Sequence, residues 1–239
     1  MVAGGRLSMA QLSVRDYPQA LALVDESITY FREQNAQIRL ATALDRRAAI
    51  LKAAGRLDEA LLAATEALRI HERIGDRVGT GLSQLRMCNV EIERNALAEA
   101  ARWCDRAEVT LSQTSGMDDN DYRTLAALRG RLLLALGKSK EAVGQFDRAI
   151  APGGAQPADD IAELYELRSR AHAAVGDYPA AFNDQGEYLR RMREQGTLDR
   201  IREVAQLRVQ FENDQEKQKI ALLEKDNKLA EERLKSQQR

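Results

Sequence analysis

The sequence predicts an all-α protein, a stack of about five helical hairpins followed by one long C-terminal helix. Strong helix formers, chiefly Ala, Leu, Arg, Glu and Gln, dominate the 239 residues, and there are only 4 prolines. One short pattern returns with a period of about 40 residues. The stretch from Leu198 to Arg239 contains neither Gly nor Pro and is dense in charged and amide side chains, which favours a continuous helix.

The repeated pattern marks the corner between two antiparallel helices. A turn or small residue opens each corner, a hydrophobic residue follows it by two positions in most copies, and an alanine follows it by five. The corners fall near residues 15–18, 55–58, 95–97, 137–140 and 176–179. Their alanines are Ala20, Ala60, Ala100, Ala142 and Ala181, which lie 40, 40, 42 and 39 residues apart. This regularity predicts one hairpin per corner, the first of them incomplete.

A second small residue precedes each corner by seven positions. These residues are Ser8, Ala48, Cys88, Gly130 and Ser169. Small side chains allow two antiparallel helices to approach closely, and the apolar residues between the marks keep helical spacing. Each repeat is therefore predicted to bury one stripe on both of its helices.

These positions resemble the tetratricopeptide repeat, which has a small residue in its first helix, a Gly-Asp/Asn-Tyr corner, and Ala, a large residue and Ala in its second. The fifth copy, from Gly176 to Ala181, and the fourth, from Gly130 to Ala149, are most similar to it. The resemblance covers roughly residues 4–195 and implies a right-handed solenoid. The period exceeds the usual value of about 34 and is similar to a variant found in bacterial signalling proteins and regulators.

The first helices of such solenoids line a concave face that usually holds peptides or partner helices. Counting from the corners places seven polar residues on this face: Asp45, Arg46, Arg86, Asn89, Arg131, Glu166 and Arg170. Arg and Asn side chains can bind carboxylates or peptide backbone, so we expect a peptide or protein ligand here. The alternative is a solvated helix surface on which arginine is simply a good helix former.

No motif for catalysis, a cofactor or a metal is present in the sequence. The Gly4-Gly5 and Gly153-Gly154 pairs lack the spacing and the Lys-Ser/Thr of a phosphate-binding loop. Neither His71 nor His172 has a Cys, Asp or His three or four residues later, so we expect surface or packing roles for both. We therefore predict a chain with no catalytic residues, no metal site and no cofactor.

Charge and hydropathy narrow the range of partners. The 36 Lys and Arg residues balance 37 Asp and Glu residues, and the formal net charge is -1. Such a balance gives no general attraction to nucleic acid, so no nucleic-acid partner is expected. No run approaches the roughly 18 apolar residues of a membrane-spanning helix, and any membrane contact is expected only through segments absent from this chain.

Two cysteines, Cys88 and Cys104, occupy a small position and a core position of the third hairpin. The two side chains should face each other, and a disulfide between them is geometrically feasible. The alternative is a pair of buried thiols that pack as small hydrophobic groups.

The sequence divides into a repeat array over residues 1–196 and a long helix over residues 197–239, with Thr197 as the expected N-cap. The helix is expected to cover the last hairpin and then to continue as a coiled-coil stalk. A heptad stripe predicts self-association along Ile220, Leu223, Asn227, Ala230 and Leu234. The alternative is a single solvated helix.

The run from Phe211 to Asn227 resembles the linker that follows repeat arrays in bacterial membrane-bound receptors of the GGDEF diguanylate cyclase and histidine kinase families. In those receptors the array is an extracytoplasmic sensor, and the stalk leads to a membrane helix and a cytoplasmic enzyme domain. The resemblance implies that this chain is the periplasmic sensory portion of an inner-membrane receptor whose output domain lies outside it. A free-standing cytoplasmic adaptor is the alternative.

Overall fold

The computed structural model describes residues 17–114, 119–151, 158–197, 216–217 and 219–220, and helices are the only regular elements in these residues. The all-α prediction is confirmed. The helices are α1 (Tyr17–Glu33), α2 (Gln37–Ala53), α3 (Leu57–Ile74), α4 (Arg77–Glu93), α5 (Leu97–Ser112), α6 (Asp119–Ala135), α7 (Ser139–Ile150), α8 (Ala158–Ala174) and α9 (residues 178–197).

The helices pack as hairpins in sequence order. The pairs α2 with α3, α4 with α5, and α6 with α7 each form one hairpin, and each hairpin packs on the next. Helix α1 takes the place of a second helix, and the segment predicted to form the first helix of that hairpin lies outside the described residues. Helix α8 meets the start of α9 through the Ser169 hydroxyl, which donates to the carbonyl of Ala181 at 2.7 Å. The described part of the chain is thus the predicted array of helical hairpins.

Each described corner is closed by one residue in the left-handed region of backbone space. These residues are Gly55, Asn95, Gly137 and Gly176, with φ between 59° and 83°. The amide after Gly55 donates to the carbonyl of Leu51 at 2.9 Å, and the amide of Gly55 donates to that of Lys52 at 3.0 Å. Bonds of this kind satisfy the last carbonyl groups of a helix while the chain reverses. A local signal in the sequence therefore ends each first helix.

The small residues of the repeat lie where the two helices of a hairpin touch. Ala48, Cys88, Ala60 and Ala100 are completely buried. Gly130 in α6 lies directly against the ring of Phe146 in α7, and a Cβ atom at Gly130 would be 2.6 Å from that ring. Phe146 is completely buried, and the burial of such a side chain stabilises a fold by about 1.5–3 kcal/mol. The aromatic ring of the second helix thus fills the space that the glycine leaves in the first.

The two cysteines of the third hairpin form a disulfide. Cys88 in α4 and Cys104 in α5 have Cα atoms 5.4 Å apart and are separated by 16 residues. Both side chains lie in the core. The covalent link therefore joins the two helices of the third hairpin through its core.

The chain divides into two compact units, which are residues 1–188 and residues 189–239. In the second unit, residues 189–197 are helical, and the hydroxyl of Thr197 donates to the carbonyl of Arg193 at 3.0 Å. The expectation that Thr197 is an N-cap was wrong, because its hydroxyl bonds back to its own helix. Of the proposed stalk seam only Ile220 is described, and it is half exposed. Leu223, Asn227, Ala230 and Leu234 lie outside the described residues.

Replacement of Gly130 by alanine should destabilise the array by about 1–3 kcal/mol, because the added methyl group overlaps the buried Phe146 ring. Gly144→Ala is the matched control, since nothing lies within 4 Å of a Cβ atom there. In the control, the better helix propensity of alanine should raise stability by up to about 1 kcal/mol. Urea denaturation followed by circular dichroism measures both changes, and equal effects at the two positions would contradict the packing.

Removal of the disulfide by a combined Cys88→Ala and Cys104→Ala change should lower the free energy of unfolding by about 3 kcal/mol. The reason is that the denatured chain regains the freedom of a loop of this length. The same loss is expected when the unchanged protein is unfolded in the presence of a reductant. Free thiols in the denatured, unreduced protein would contradict the link.

Candidate functional site

The first helices of the hairpins form a layer of their own in residues 17–188. Helix α2 contacts α4, α4 contacts α6, and α6 contacts α8, so each first helix touches the next one along the array. No comparable contact joins α3 to α5 or α5 to α7 in the described residues. We call the surface formed by α2, α4, α6 and α8 the first-helix layer. Consecutive helices lie closer together in this layer than in the layer formed by the second helices.

A polar groove of about 200 Å³ runs across this layer. All four first helices contribute to its walls. The lining residues are Lys52 from α2, Asn89 from α4, Asn120, Arg123, Thr124, Ala127, Leu128 and Arg131 from α6, and Glu163 and Leu164 from α8. Binding sites for drug-sized ligands usually measure about 300–1,000 Å³. The groove is therefore better matched to one side chain of a longer ligand than to a whole small molecule.

Arg131 joins three consecutive first helices at this groove. Its guanidinium donates from Nη1 to Oδ1 of Asn89 at 3.0 Å and from Nη2 to Oε1 of Glu93, both on α4. The same Nη2 lies 3.7 Å from a carboxylate oxygen of Glu163 on α8. Hydrogen bonds to a charged group typically contribute more than those between neutral groups. Arg131 thus fixes the floor of the groove.

Asp45 has the corresponding role between α2 and α4. Its buried carboxylate accepts from the hydroxyl of Ser83 at 3.0 Å and from Nε of Arg86 at 3.2 Å. Nε2 of His71, on α3, lies 3.5 Å from the same carboxylate. Asp45 therefore links its own helix, α2, to both α3 and α4.

The seven residues assigned to this face separate into two groups. Asp45 pairs with Arg86, and Asn89 pairs with Arg131, so these four residues link neighbouring hairpins. Arg46, Glu166 and Arg170 make no hydrogen bond or ion pair with other described residues, and Arg170 is exposed. The face contains both structural contacts and side chains that a ligand could engage.

Sequence reasoning missed several residues of the groove. Lys52 lies four residues after the small residue Ala48, so it occupies the same side of α2 one turn later. Extending the count by one turn would have found it. Arg123 and Glu163 lie in the first halves of α6 and α8. The repeat pattern has no characteristic residue there, so counting from it could not have found them.

A second set of contacts, also missed, connects each second helix to the following first helix. Asp25 accepts from Arg47, Asp105 accepts from Arg129, and Asp147 accepts from Arg168, at 2.7–2.8 Å. Each arginine immediately precedes the small residue of its repeat, and each aspartate follows the repeat alanine by five. At the remaining junction, Thr65 and Met87 occupy these positions and lie 3.8 Å apart. The sequence therefore contained a pattern that could have predicted these contacts, namely an Asp and an Arg that recur at fixed positions of the repeat.

His71 is a buried titratable group that lies between two carboxylates. Its side chain is buried, and Nδ1 lies 2.9 Å from Oδ2 of Asp76. The hydrogen bond to Asp45 raises the pKa of His71 above its ordinary value, and the negative charges of Asp45 and Asp76 act in the same direction, while burial opposes them. The histidine is thus neither on the surface nor an ordinary apolar packing group.

Metal-binding clusters and membrane-spanning helices are both absent from the described residues. In that part of the chain, no three His, Cys, Asp or Glu side chains are grouped so that they could hold a metal ion. No helix found there combines the length and the apolar character that a membrane crossing requires.

Solved structures with the same arrangement of helices include BtubC (BKLC) from P. vanneervenii. The similarity has a TM-score of 0.60 at 17% sequence identity and covers 80% of this chain and 78% of that one. A Podosopora anserina protein assigned to the kinesin light chains, with nearly identical TPR-like repeats, gives a TM-score of 0.56 at 14% identity over 82% of this chain and 95% of that one. A point variant of the latter gives 0.58 at 13% identity over the same shares.

No protein-family model matches the chain, and neither does any curated protein. At the identities of the solved structures, similarity of this kind defines the fold and nothing further. The chain has the fold of tetratricopeptide-like helical repeats, as the resemblance predicted.

Replacement of Arg131 by glutamine should lower the free energy of unfolding by about 1–2 kcal/mol, because Glu93 loses a charged partner in a half-buried site. Arg170→Gln is the matched control at the same repeat position, one residue after the small residue, and should change stability by less than about 0.5 kcal/mol. Thermal and urea unfolding of both variants test this expectation. A loss at Arg170 as large as that at Arg131 would contradict the assigned contacts.

Proposed function

We propose that this chain is a non-catalytic binding module that holds a peptide or protein segment across its first-helix layer. The observation that carries the proposal is the polar groove, because all four described first helices contribute side chains to it. Its volume of about 200 Å³ suits a single side chain, and Arg131 with its partners gives it a fixed floor. An extended or helical segment laid across the layer would insert one side chain there and meet Arg46, Glu166 and Arg170 elsewhere on the same face.

The charges of the groove indicate the chemistry of the inserted group. Lys52, Arg123 and Arg131 bring three positive side chains to the groove. Glu163 in the groove wall and Glu93 behind it bring two negative side chains, both beside Arg131, so a positive balance is left. A carboxylate or amide side chain of the ligand therefore fits better than a basic one. The expected ligand is an acidic or amide-rich segment of a protein.

The test uses a substitution that fills the groove without removing an internal contact. Thr124 is exposed at the groove, and its hydroxyl donates only within its own helix, to the carbonyl of Asn120 at 2.9 Å. Peptides are selected from a random library against the unchanged protein, and Thr124→Trp should weaken their binding at least about tenfold by steric exclusion.

Thr29→Trp is the matched control. Thr29 is also exposed and donates within its own helix, to Asp25 at 3.0 Å, but it belongs to the second helix of a hairpin. This variant should bind the selected peptides as the unchanged protein does. Equal binding by both variants, or selection of no peptide above background, would contradict the proposal.

We further propose that the module is the periplasmic sensory portion of an inner-membrane receptor. In this proposal residues 197–239 couple ligand binding to a diguanylate cyclase or histidine kinase domain. The support comes from the resemblance of residues 211–227 to receptor linkers and from the disulfide, since such links persist in oxidising compartments. A stalk can transmit binding only if the ligand distinguishes two of its states.

Two observations separate the receptor from a free-standing cytoplasmic adaptor. A receptor gene encodes a membrane-spanning run and a GGDEF or kinase domain in the same reading frame, whereas an adaptor gene encodes neither. The second observation is the redox state of the two cysteines in cells, measured by rapid acid quenching followed by alkylation. If the module is periplasmic, Cys88 and Cys104 should be oxidised. Reduced thiols together with no output domain would favour the adaptor.

A further inference from the structure

His71 lies at the junction between the second and third hairpins and faces a carboxylate on each side. Its side chain is 4% exposed and lies in the last turn of α3. Nδ1 is 2.9 Å from Asp76, in the connection to α4, and Nε2 is 3.5 Å from Asp45, on α2. A neutral imidazole has one N–H donor and one lone pair, so it can donate to only one of these carboxylates. The doubly protonated ring can donate to both.

Both carboxylates also hold α4, the first helix of the third hairpin. Asp76 is the N-cap of α4 and accepts from the amide of Gly79 at 2.9 Å. Asp45 accepts from Ser83 and Arg86, which lie one and two turns further along α4. The imidazole therefore stands between the two acceptors that attach α4 to the preceding hairpin.

The first turn of α4 packs closely against the ring. A Cβ atom at Gly79 would lie 2.1 Å from Nδ1 of His71 and 2.4 Å from Oδ2 of Asp76, so the first turn of α4 rests directly on the imidazole. If the ring loses a proton, one ring nitrogen presents its lone pair to a carboxylate at close range. That repulsion acts on the contacts that position α4.

We propose that His71, Asp45 and Asp76 form a proton-dependent clasp between the second and third hairpins, closed when the imidazole is doubly protonated and loosened when one proton leaves. The charged groups facing the imidazole are Asp45 from α2 and Asp76 from the connection to α4. Arg86 from α4 reaches the other oxygen of Asp45. Because that contact involves no titration near neutral pH, it persists when the clasp loosens, and the junction weakens without separating.

The direction of the pH dependence follows from the raised pKa of His71, whose first cause is the hydrogen bond to Asp45. A group with a folded pKa above its unfolded value contributes its full stabilisation below that unfolded value, near 6.5. The contribution is lost as pH rises through the folded value. The junction should therefore be tighter in mildly acidic than in mildly basic solution.

The test is hydrogen exchange of the whole chain at pH 5.5 and 8.5, read by mass spectrometry and corrected for the chemical exchange rate. Protection of the α4 amides from Ser83 to Met87 should fall severalfold at the higher pH, while the α7 amides from Val143 to Arg148 serve as an internal reference. His71→Gln should remove this difference. His172→Gln, which changes the other histidine of the chain, should retain it.

Asp76→Asn is a second variant that keeps the fold, because asparagine caps a helix as well as aspartate does. It removes one of the two carboxylates and should also reduce the pH difference in α4. If His71→Gln fails to fold, this variant decides the outcome. The proposal would be overturned by a pH difference that is undiminished in Asp76→Asn or that persists in His71→Gln. A pH difference that vanishes in His172→Gln, or that is absent from the unchanged protein, would overturn it as well.

Discussion

The close approach of the two helices within each hairpin is the constraint on which the rest of the array depends. One small residue per repeat, such as Ala48, Cys88 or Gly130, removes the side-chain volume that would hold the helices apart. The opposite helix then fills the space with its own buried group, which is Phe146 in the case of Gly130. Because this contact sets the width of a hairpin, it also sets where the next hairpin can pack.

Polar contacts then fix how one hairpin lies on the next. The recurring Asp and Arg pairs connect a second helix with the following first helix, and Asp45 and Arg131 connect consecutive first helices. Stability in such an array is approximately a sum of terms for single repeats and for their junctions. The junction between the second and third hairpins differs from the others, because Thr65 and Met87 replace the Asp and Arg pair there and His71 lies between Asp45 and Asp76. The proposed response to protonation is therefore specific to this junction.

Much of the fold could be predicted from the sequence, because it is encoded locally. The turn residues Gly55, Asn95, Gly137 and Gly176 end each first helix by their own backbone preference. The small residue and the alanine recur at fixed distances from them. A period of about 40 residues is visible without knowledge of any long-range contact.

The partners of the polar residues could not be predicted in the same way. Asp45 and Arg86 were placed on one face by counting, but their mutual hydrogen bond depends on the rotation between two hairpins, which the core sets. His71 was assigned no special role because its own helix offers no partner three or four residues away. Its partners lie five residues ahead, beyond the end of α3, and 26 residues behind, on another helix.

The disulfide has a consequence for how order is lost along the array. In a quasi-one-dimensional stack, disorder enters at the ends and advances from one repeat to the next. The link between Cys88 and Cys104 joins α4 to α5, and described helices pack against this hairpin on both sides. The link limits how far the two helices of the third hairpin can separate, even when the neighbouring hairpins have lost their order.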